Sequence, residues 1–253
     1  MSTHLVIPDA HAHPDYNNDR FSWLGHLIAD VKPDHVICIG DWADMASLCS
    51  YDKGTKGFEG RRYKDDIASA VDAQERMMAP ILARKKKLPK FWMLIGNHEH
   101  RINTAISRDA AQLDGIISIN DLQFNEHRWE IIEYEGSTPG KLELDGIVYA
   151  HYFSSGVMGR PIGGIHPGYQ LLTKHFQSCT QGHVHTFDFC RRTRADGTNI
   201  NGLVCGNYVD YFMEYAGDAN DMWRPGIVIK RDVKDGDYDY ETVSLSRIRN
   251  LYS

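Results

Sequence analysis

The sequence predicts an α/β protein of two packed sheets with helices outside. Three observations lead there. Short apolar runs alternate with helical patterns in the first half, hairpin signals take over in the second, and the strand-like runs end repeatedly in Asp, Asn and His. Apolar runs separated by helices indicate βαβ units in a sheet covered on both faces. A helix-rich half followed by a hairpin-rich half suggests a second sheet packed on the first.

In order, strands are expected at HLVI (4–7), HVICI (35–39) and FWMLI (91–95), with helices around 20–31 and 62–87 between them. Lys141–Leu144 and Ile147–Ala150 flank Asp145-Gly146, a two-residue hairpin signal. Arg191–Arg194 and Asn199–Cys205 flank a turn at Asp196-Gly197, and Gly226–Val233 and Tyr238–Leu245 form a third hairpin across 234–237. Segments 42–60 and 153–168, rich in Gly and polar residues, read as loops over one end of the sheet; long ordered loops are more often functional than accidental. With no repeat and no low-complexity linker, residues 1–253 read as a single domain.

Composition narrows the classes. At 42% hydrophobic and 25% charged the chain is of ordinary globular type. MSTHLVIPDA has no basic region followed by an apolar stretch, and no run approaches the roughly 20 apolar residues that span a bilayer, so a cytoplasmic location is expected. The five cysteines are odd in number, widely spaced and form no CxxC, which excludes a disulfide framework or cysteine zinc site. A net charge of −6 argues against a broad duplex-binding face. The basic cluster Arg84–Lys87 ends a helical pattern, where positive charge suits the dipole.

The chemistry collects at strand ends. HLVIP runs into Asp9-Ala-His11-Ala-His13, HVICIG into Asp41-Trp-Ala-Asp44, MLIG into Asn97-His98-Glu99, IVYA into His151, and SCTQG into His183-Val-His185. In α/β sheets ligands bind beyond the carboxyl ends of strands. Any one of these residues alone would be a cap or a satisfied polar group. Five ends supplying only Asp, Asn and His are instead an inventory of metal ligands, suited to Mn, Fe, Zn or Mg. Asp9, His11, Asp41, Asn97, His151, His183 and His185 exceed a four-ligand zinc site and fit two ions better than one.

DAH, GDWAD, GNHE, a single strand-end histidine and GHVH, in this order over residues 9–185, resemble the calcineurin-like metallophosphoesterase superfamily. The resemblance implies a four-layer α/β/β/α sandwich of two mixed sheets and outer helices, with a dinuclear site at the carboxyl ends of strands. It implies Asp9, His11 and His185 as ligands of one ion, Asp41 as the bridging carboxylate, and Asn97, His151 and His183 as ligands of the other. It also implies His98 as the non-ligand histidine that contacts phosphate or protonates the leaving oxygen, oriented by Asp44. The cofactor expected is a pair of divalent ions, Mn first, with Fe, Zn, Ni or Mg as alternatives. Hydrolysis would proceed by attack of a hydroxide that bridges them.

Several features depart from the pattern. His151 is followed by Tyr152 where the family usually has Gly, and the long interval 42–90 reads as a substrate-shaping insertion. His13, on the same side as His11 if the segment is extended, is a candidate substrate or metal contact, or else structural. Arg160 and His166, in the Gly-rich loop, are candidate phosphate contacts or solvated surface residues. Glu99 and His100 support the turn, and Arg101 braces the helix that follows. The aromatic stretch Gly206–Tyr215 is either a base-stacking platform or packing. The function expected is a phosphodiesterase acting on a nucleotide or single-stranded nucleic acid. The alternatives are a phosphomonoesterase, to which the absence of Arg-Gly after GDWAD gives less weight as a protein phosphatase, and a metal-bound module without turnover.

Overall fold

The computed structural model describes residues 1–253. The first half runs β1 (Ser2–Ile7), α1 (Asp19–Val31), β2 (His35–Cys38), α2 (Tyr63–Ala83), β3 (Lys90–Leu94), α3 (Arg101–Arg108), α4 (Ala110–Leu113) and β4 (Trp129–Ile132). There follow β5 (Lys141–Leu144), β6 (Ile147–Ala150), β7 (Ser154–Ser155), β8 (Arg160–Pro161), α5 (Pro167–His175), β9 (Ser178–Gln181), β10 (Phe187–Thr193) and β11 (Asn199–Cys205). The chain ends in β12 (Gly226–Lys234), β13 (Asp237–Ser244) and α6 (Leu245–Tyr252).

These strands make two mixed sheets, ordered β13-β12-β1-β2-β3-β4 and β10-β11-β9-β6-β5. In the first, β1 to β4 are parallel and the β12–β13 hairpin is antiparallel at the β1 edge. Side-chain alternation sorts the core into layers. Leu5, Ile7, Val36 and Cys38 face α1, α2 and α6, whereas Val6, Ile37 and Ile39 face the second sheet and meet Ile147, Tyr149 and Leu203. A smaller cluster of Ala150, Leu171, Cys179 and Val204 seats α5 on the outside of the second sheet. The result is the four-layer α/β/β/α sandwich.

Two of the three DG hairpins adopt the two positive-φ residues of a type I′ turn: Asp145 (50°) with Gly146 (81°), and Asp235 (51°) with Gly236 (86°); at the third only Gly197 (85°) is at positive φ. The two turns meet, Gly236 N–H donating to the Asp145 carbonyl at 2.8 Å, which pins one sheet to the other. Segment 42–60 contains short 3-10 turns at Ala46–Leu48 and Lys56–Phe58. Segment 153–168, expected as loop, contains the β7–β8 hairpin and the first turn of α5. Within the interval 42–90, α2 packs Ala70, Ala73, Met77 and Ile81 into the main core. No helix is long and apolar enough to cross a membrane.

Candidate metal centre

The polar motifs all follow the carboxyl ends of parallel strands in the two sheets: Asp9 and His11 after β1, Asp41 after β2, Asn97 and His98 after β3, His151 after β6, His183 and His185 after β9. The backbone there does not continue as strand. Asp9 (φ 28°), His11 (45°), Asp41 (52°), His183 (67°) and His185 (60°) all sit at positive φ. Each such residue costs roughly 1–3 kcal/mol unless its surroundings hold it, and such strain gathers at functional sites. The turns bring side chains from both sheets into one buried cluster.

The cluster divides into two groups that share Asp41. In one, His185 Nε2 lies 3.6 Å from Asp9 Oδ1 and 3.3 Å from His11 Nε2, and His11 Nε2 lies 3.9 Å from Asp41 Oδ2. In the other, His151 Nε2 is 3.3 Å from Asp41 Oδ2 and 2.8 Å from Asn97 Oδ1, while His183 Nδ1 is 2.8 Å from the same Asn97 oxygen and 3.2 Å from His151 Nε2. Donor atoms each about 2.0–2.2 Å from an ion stand roughly 3–3.5 Å from one another. All seven expected ligands are thus brought together in one cluster. His151 Nδ1 donates to the Ile39 carbonyl at 3.0 Å, turning Nε2 inward, and Tyr152 packs its ring 4.9 Å from that of His183.

Burial sets the protonation pattern. It pushes Asp9 up to about 7, with Asp41 adding to the rise. Asp41 itself is buried, but His151 and His98 outweigh burial and hold it well below the usual carboxylate range. Burial, reinforced by His151, lowers His183 to about 4; burial and His11 lower His185. At His151 burial is outweighed by Asp41, which raises it to about 9. Asp9 accepts from the His183 amide at 2.8 Å and Asp41 from the His98 amide at 2.9 Å, but the charges facing these two carboxylates are otherwise imidazoles, an arrangement that a cation would relieve.

The scaffold around the cluster is built for close approach. Glu99, fully buried, accepts from the amides of Gly96 (2.9 Å), Asp41 (3.0 Å) and Ala43 (2.8 Å), clamping the GNHE turn to the GDWAD turn. A Cβ at Gly96 would lie 2.1 Å from Asp41 Oδ1, and one at Gly182 would lie 2.1 Å from Asp9 Oδ2. These two glycines therefore make room for the two carboxylates. Arg20, also buried, donates to the Ala10 (2.8 Å) and His11 (3.1 Å) carbonyls and to that of Tyr208 (3.1 Å), fixing the DAH turn from behind.

His98 stands beside Asp41, Nε2 3.8 Å from Oδ2. The structure corrects the expected orienting contact. His98 Nδ1 donates to the main-chain carbonyl of Asp44 at 2.6 Å, while the Asp44 carboxylate is 3.8 Å away and stands closer to His11 Nδ1, at 3.3 Å. On its other side His98 Nε2 accepts from Arg101 Nη2 at 3.1 Å, and Arg101 Nη1 donates to the Asp44 carbonyl at 2.9 Å. Burial, with the Arg101 charge beside it, lowers His98 to about 3 although Asp41 opposes. The His98 ring is thus neutral, with its Nε2 lone pair engaged.

The family model for calcineurin-like phosphoesterases matches residues 3–206. The chain belongs to this family. No curated protein matches it. Family membership makes the chain a metal-dependent phosphoester hydrolase with a dinuclear centre, and the donor set fits such a centre. The three-residue groupings of donor atoms are mutually close, and the buried His185 Nδ1 has no hydrogen-bond partner.

The remaining candidates of this phosphoesterase share no hydrogen bond or ion pair with the cluster. His11 is at positive φ, so the segment is not extended and His13 does not share its side. His13 instead accepts from the Asp15 amide at 3.1 Å and packs 5.4 Å from the Tyr16 ring. Arg160 and His166 are exposed and share no hydrogen bond or ion pair with the cluster. A second His/Asp grouping, His4 with His35 and Asp145, lies back toward the opposite ends of β1 and β2. There Trp92 Nε1 donates to His35 Nδ1 at 3.1 Å and Tyr149 engages His4 Nδ1 at 2.8 Å, so both rings already have partners. Glu99 and Arg101 are the residues whose part in the centre the sequence reading missed. The i,i+3 spacing of His98 and Arg101 was a usable signal for the second; Glu99 had none, since its Asp41 and Ala43 partners are far away in sequence.

Proposed function

We propose that this phosphoesterase cleaves phosphodiesters of nucleotides or single-stranded nucleic acid, with a pair of Mn ions as cofactor. Asp9, His11 and His185 would hold one ion, Asn97, His151 and His183 the other, and Asp41 would bridge them. Bound there, divalent ions lower the pKa of water and neutralise phosphoryl charge. The chain's own part is orientation and charge. Arg101, anchored on the Asp44 and Met45 carbonyls, offers its remaining N–H groups to a phosphoryl oxygen. His98, held by the Asp44 carbonyl, carries its Nε2 against Arg101 Nη2; once Arg101 turns to the phosphoryl oxygen, Nε2 is free to take a proton from water and pass it to the leaving oxygen.

The observation that carries the diester reading is the aromatic wall beside the centre. Tyr16 and Tyr211 stack face to face, 3.8 Å between centroids at 6°, and the Tyr211 hydroxyl donates to the His11 carbonyl at 2.8 Å. Tyr215 (70%) extends that surface into solvent. Flat aromatic surface suits stacked bases, and a diester can keep one base on such a surface while its other substituent departs. With Mn added, the chain is expected to turn over bis-p-nitrophenyl phosphate faster than p-nitrophenyl phosphate. Strong monoester with negligible diester turnover would refute the reading. In the same assay His98→Ala should keep both ions and lose about 10²–10⁴ in kcat; a fall in metal content would contradict its role.

A further inference from the structure

Segment 206–225 does more than border the metal centre. On its other side it closes a cavity of about 530 Å³ against α1 and α6, within the roughly 300–1,000 Å³ range of small-ligand sites. Trp23 of α1, Phe212 and Trp223 give it aromatic walls; Asn207 and Arg249 give it polarity.

Two of these side chains keep polar atoms without a hydrogen-bond or ion-pair partner in the protein. Asn207 is 1% exposed, yet its Oδ1 has no hydrogen-bond partner. A buried amide is ordinarily paired, so an orphan that lines a cavity asks for a ligand edge. Arg249, at the rim, is exposed and makes no ion pair; its guanidinium lies 5.7 Å from the Trp23 ring centroid. Asp210, the one acidic side chain in the lining, is already paired with Arg20 at 3.2 Å, so the free charge facing the cavity is positive. Aromatic walls, an unpaired amide and a free guanidinium together match a planar heteroaromatic ring that carries phosphate.

We propose that this cavity is a nucleoside monophosphate site distinct from the dinuclear centre, with the base against Trp23 and Trp223, its edge read by Asn207 and its phosphate held by Arg249. The wall of the cavity is also the support of the centre. The Trp223 ring packs edge-on against His185 with 4.3 Å between centroids, Arg224 N–H donates to the His185 carbonyl at 3.1 Å, and Tyr208 N–H donates to the Asp9 carbonyl at 3.1 Å. A nucleotide that repositions Trp223 therefore acts on a candidate metal ligand, and the site regulates turnover. The inference holds for a diesterase or a monoesterase alike.

The test is titration of AMP into the Mn-loaded chain, read by tryptophan fluorescence and by kcat on bis-p-nitrophenyl phosphate or, if that is not cleaved, p-nitrophenyl phosphate. Asn207 is buried and its variants risk misfolding, so the exposed rim residues carry the comparison. AMP is expected to quench fluorescence saturably and to change kcat. Arg249→Ala should weaken AMP at least 10-fold while leaving adenosine binding unchanged, and Ser246→Trp, which fills the cavity, should abolish both. Neither variant should change turnover without AMP. Absence of saturable AMP binding would overturn the proposal, as would AMP binding that both variants leave intact, which would locate it at the dinuclear centre.

Discussion

Two buried polar clusters occupy this sandwich, and they are built on opposite principles. Between the sheets, Lys230 is fully buried with no carboxylate partner. Its Nζ donates to Thr180 Oγ1 at 2.5 Å and to the Tyr149 hydroxyl at 3.3 Å, and it lies 4.4 Å from the centroids of both the Tyr149 and Tyr238 rings. None of these residues leaves ordinary φ, and every polar tip but the Tyr238 hydroxyl is partnered. At the strand ends, five of the seven expected ligands sit at positive φ, carboxylates crowd one site, and the buried His185 Nδ1 has no partner. Burial of polar groups is common to both. What separates the metal centre from the structural node is backbone strain together with unsatisfied acceptors, held in place by Glu99 and Arg20.

That contrast can be broken at its most crowded point. Gly182→Ala puts a methyl group into the space of Asp9 Oδ2, so the fold should survive while turnover falls about 10²-fold, the scale of a misplacement near 1 Å. Kinetics with metal analysis and circular dichroism check this. Wild-type activity in Gly182→Ala would mean that the packing around Asp9 is not tight.

The structural node gives the smaller effect. Burial lowers Lys230 to about 7 from an unfolded value of 10.5. Between those pH values the unfolded chain binds the extra proton, so stability rises with pH across the window, by up to about 1.4 kcal/mol per pH unit. Lys230→Met should flatten that rise in urea unfolding at pH 7 and 9.5 and leave turnover within about 3-fold, because a buried charge can be replaced by an apolar side chain at little cost. An unchanged slope would show that the ammonium is not desolvated.

The same contrast explains what could be read from the sequence. Strand runs and their polar endings are local, so β1, β2, β3, β6 and β9 and the seven clustered residues were legible as types in order. The conformation at those endings was not. A positive φ at His11 depends on Arg20 and Asp41 holding its backbone, and it is what separates His13 from His11. Glu99 looks like a turn residue because two of its three amide partners, Asp41 and Ala43, come from another motif. The edge strand β4, with the tetrapeptide Trp129–Ile132, and α6, which starts directly at Ser244 with no break after β13, carry too little periodicity to be seen.

The most direct test of the centre is metal stoichiometry of the wild type and Asp41→Asn by elemental analysis after equilibration with Mn. Two ions per chain are expected in the wild type, with metal loading and turnover lost together in Asp41→Asn. A wild type that binds one ion or none, or an Asp41→Asn variant that retains both, would contradict the assignment of the strained cluster as a dinuclear centre.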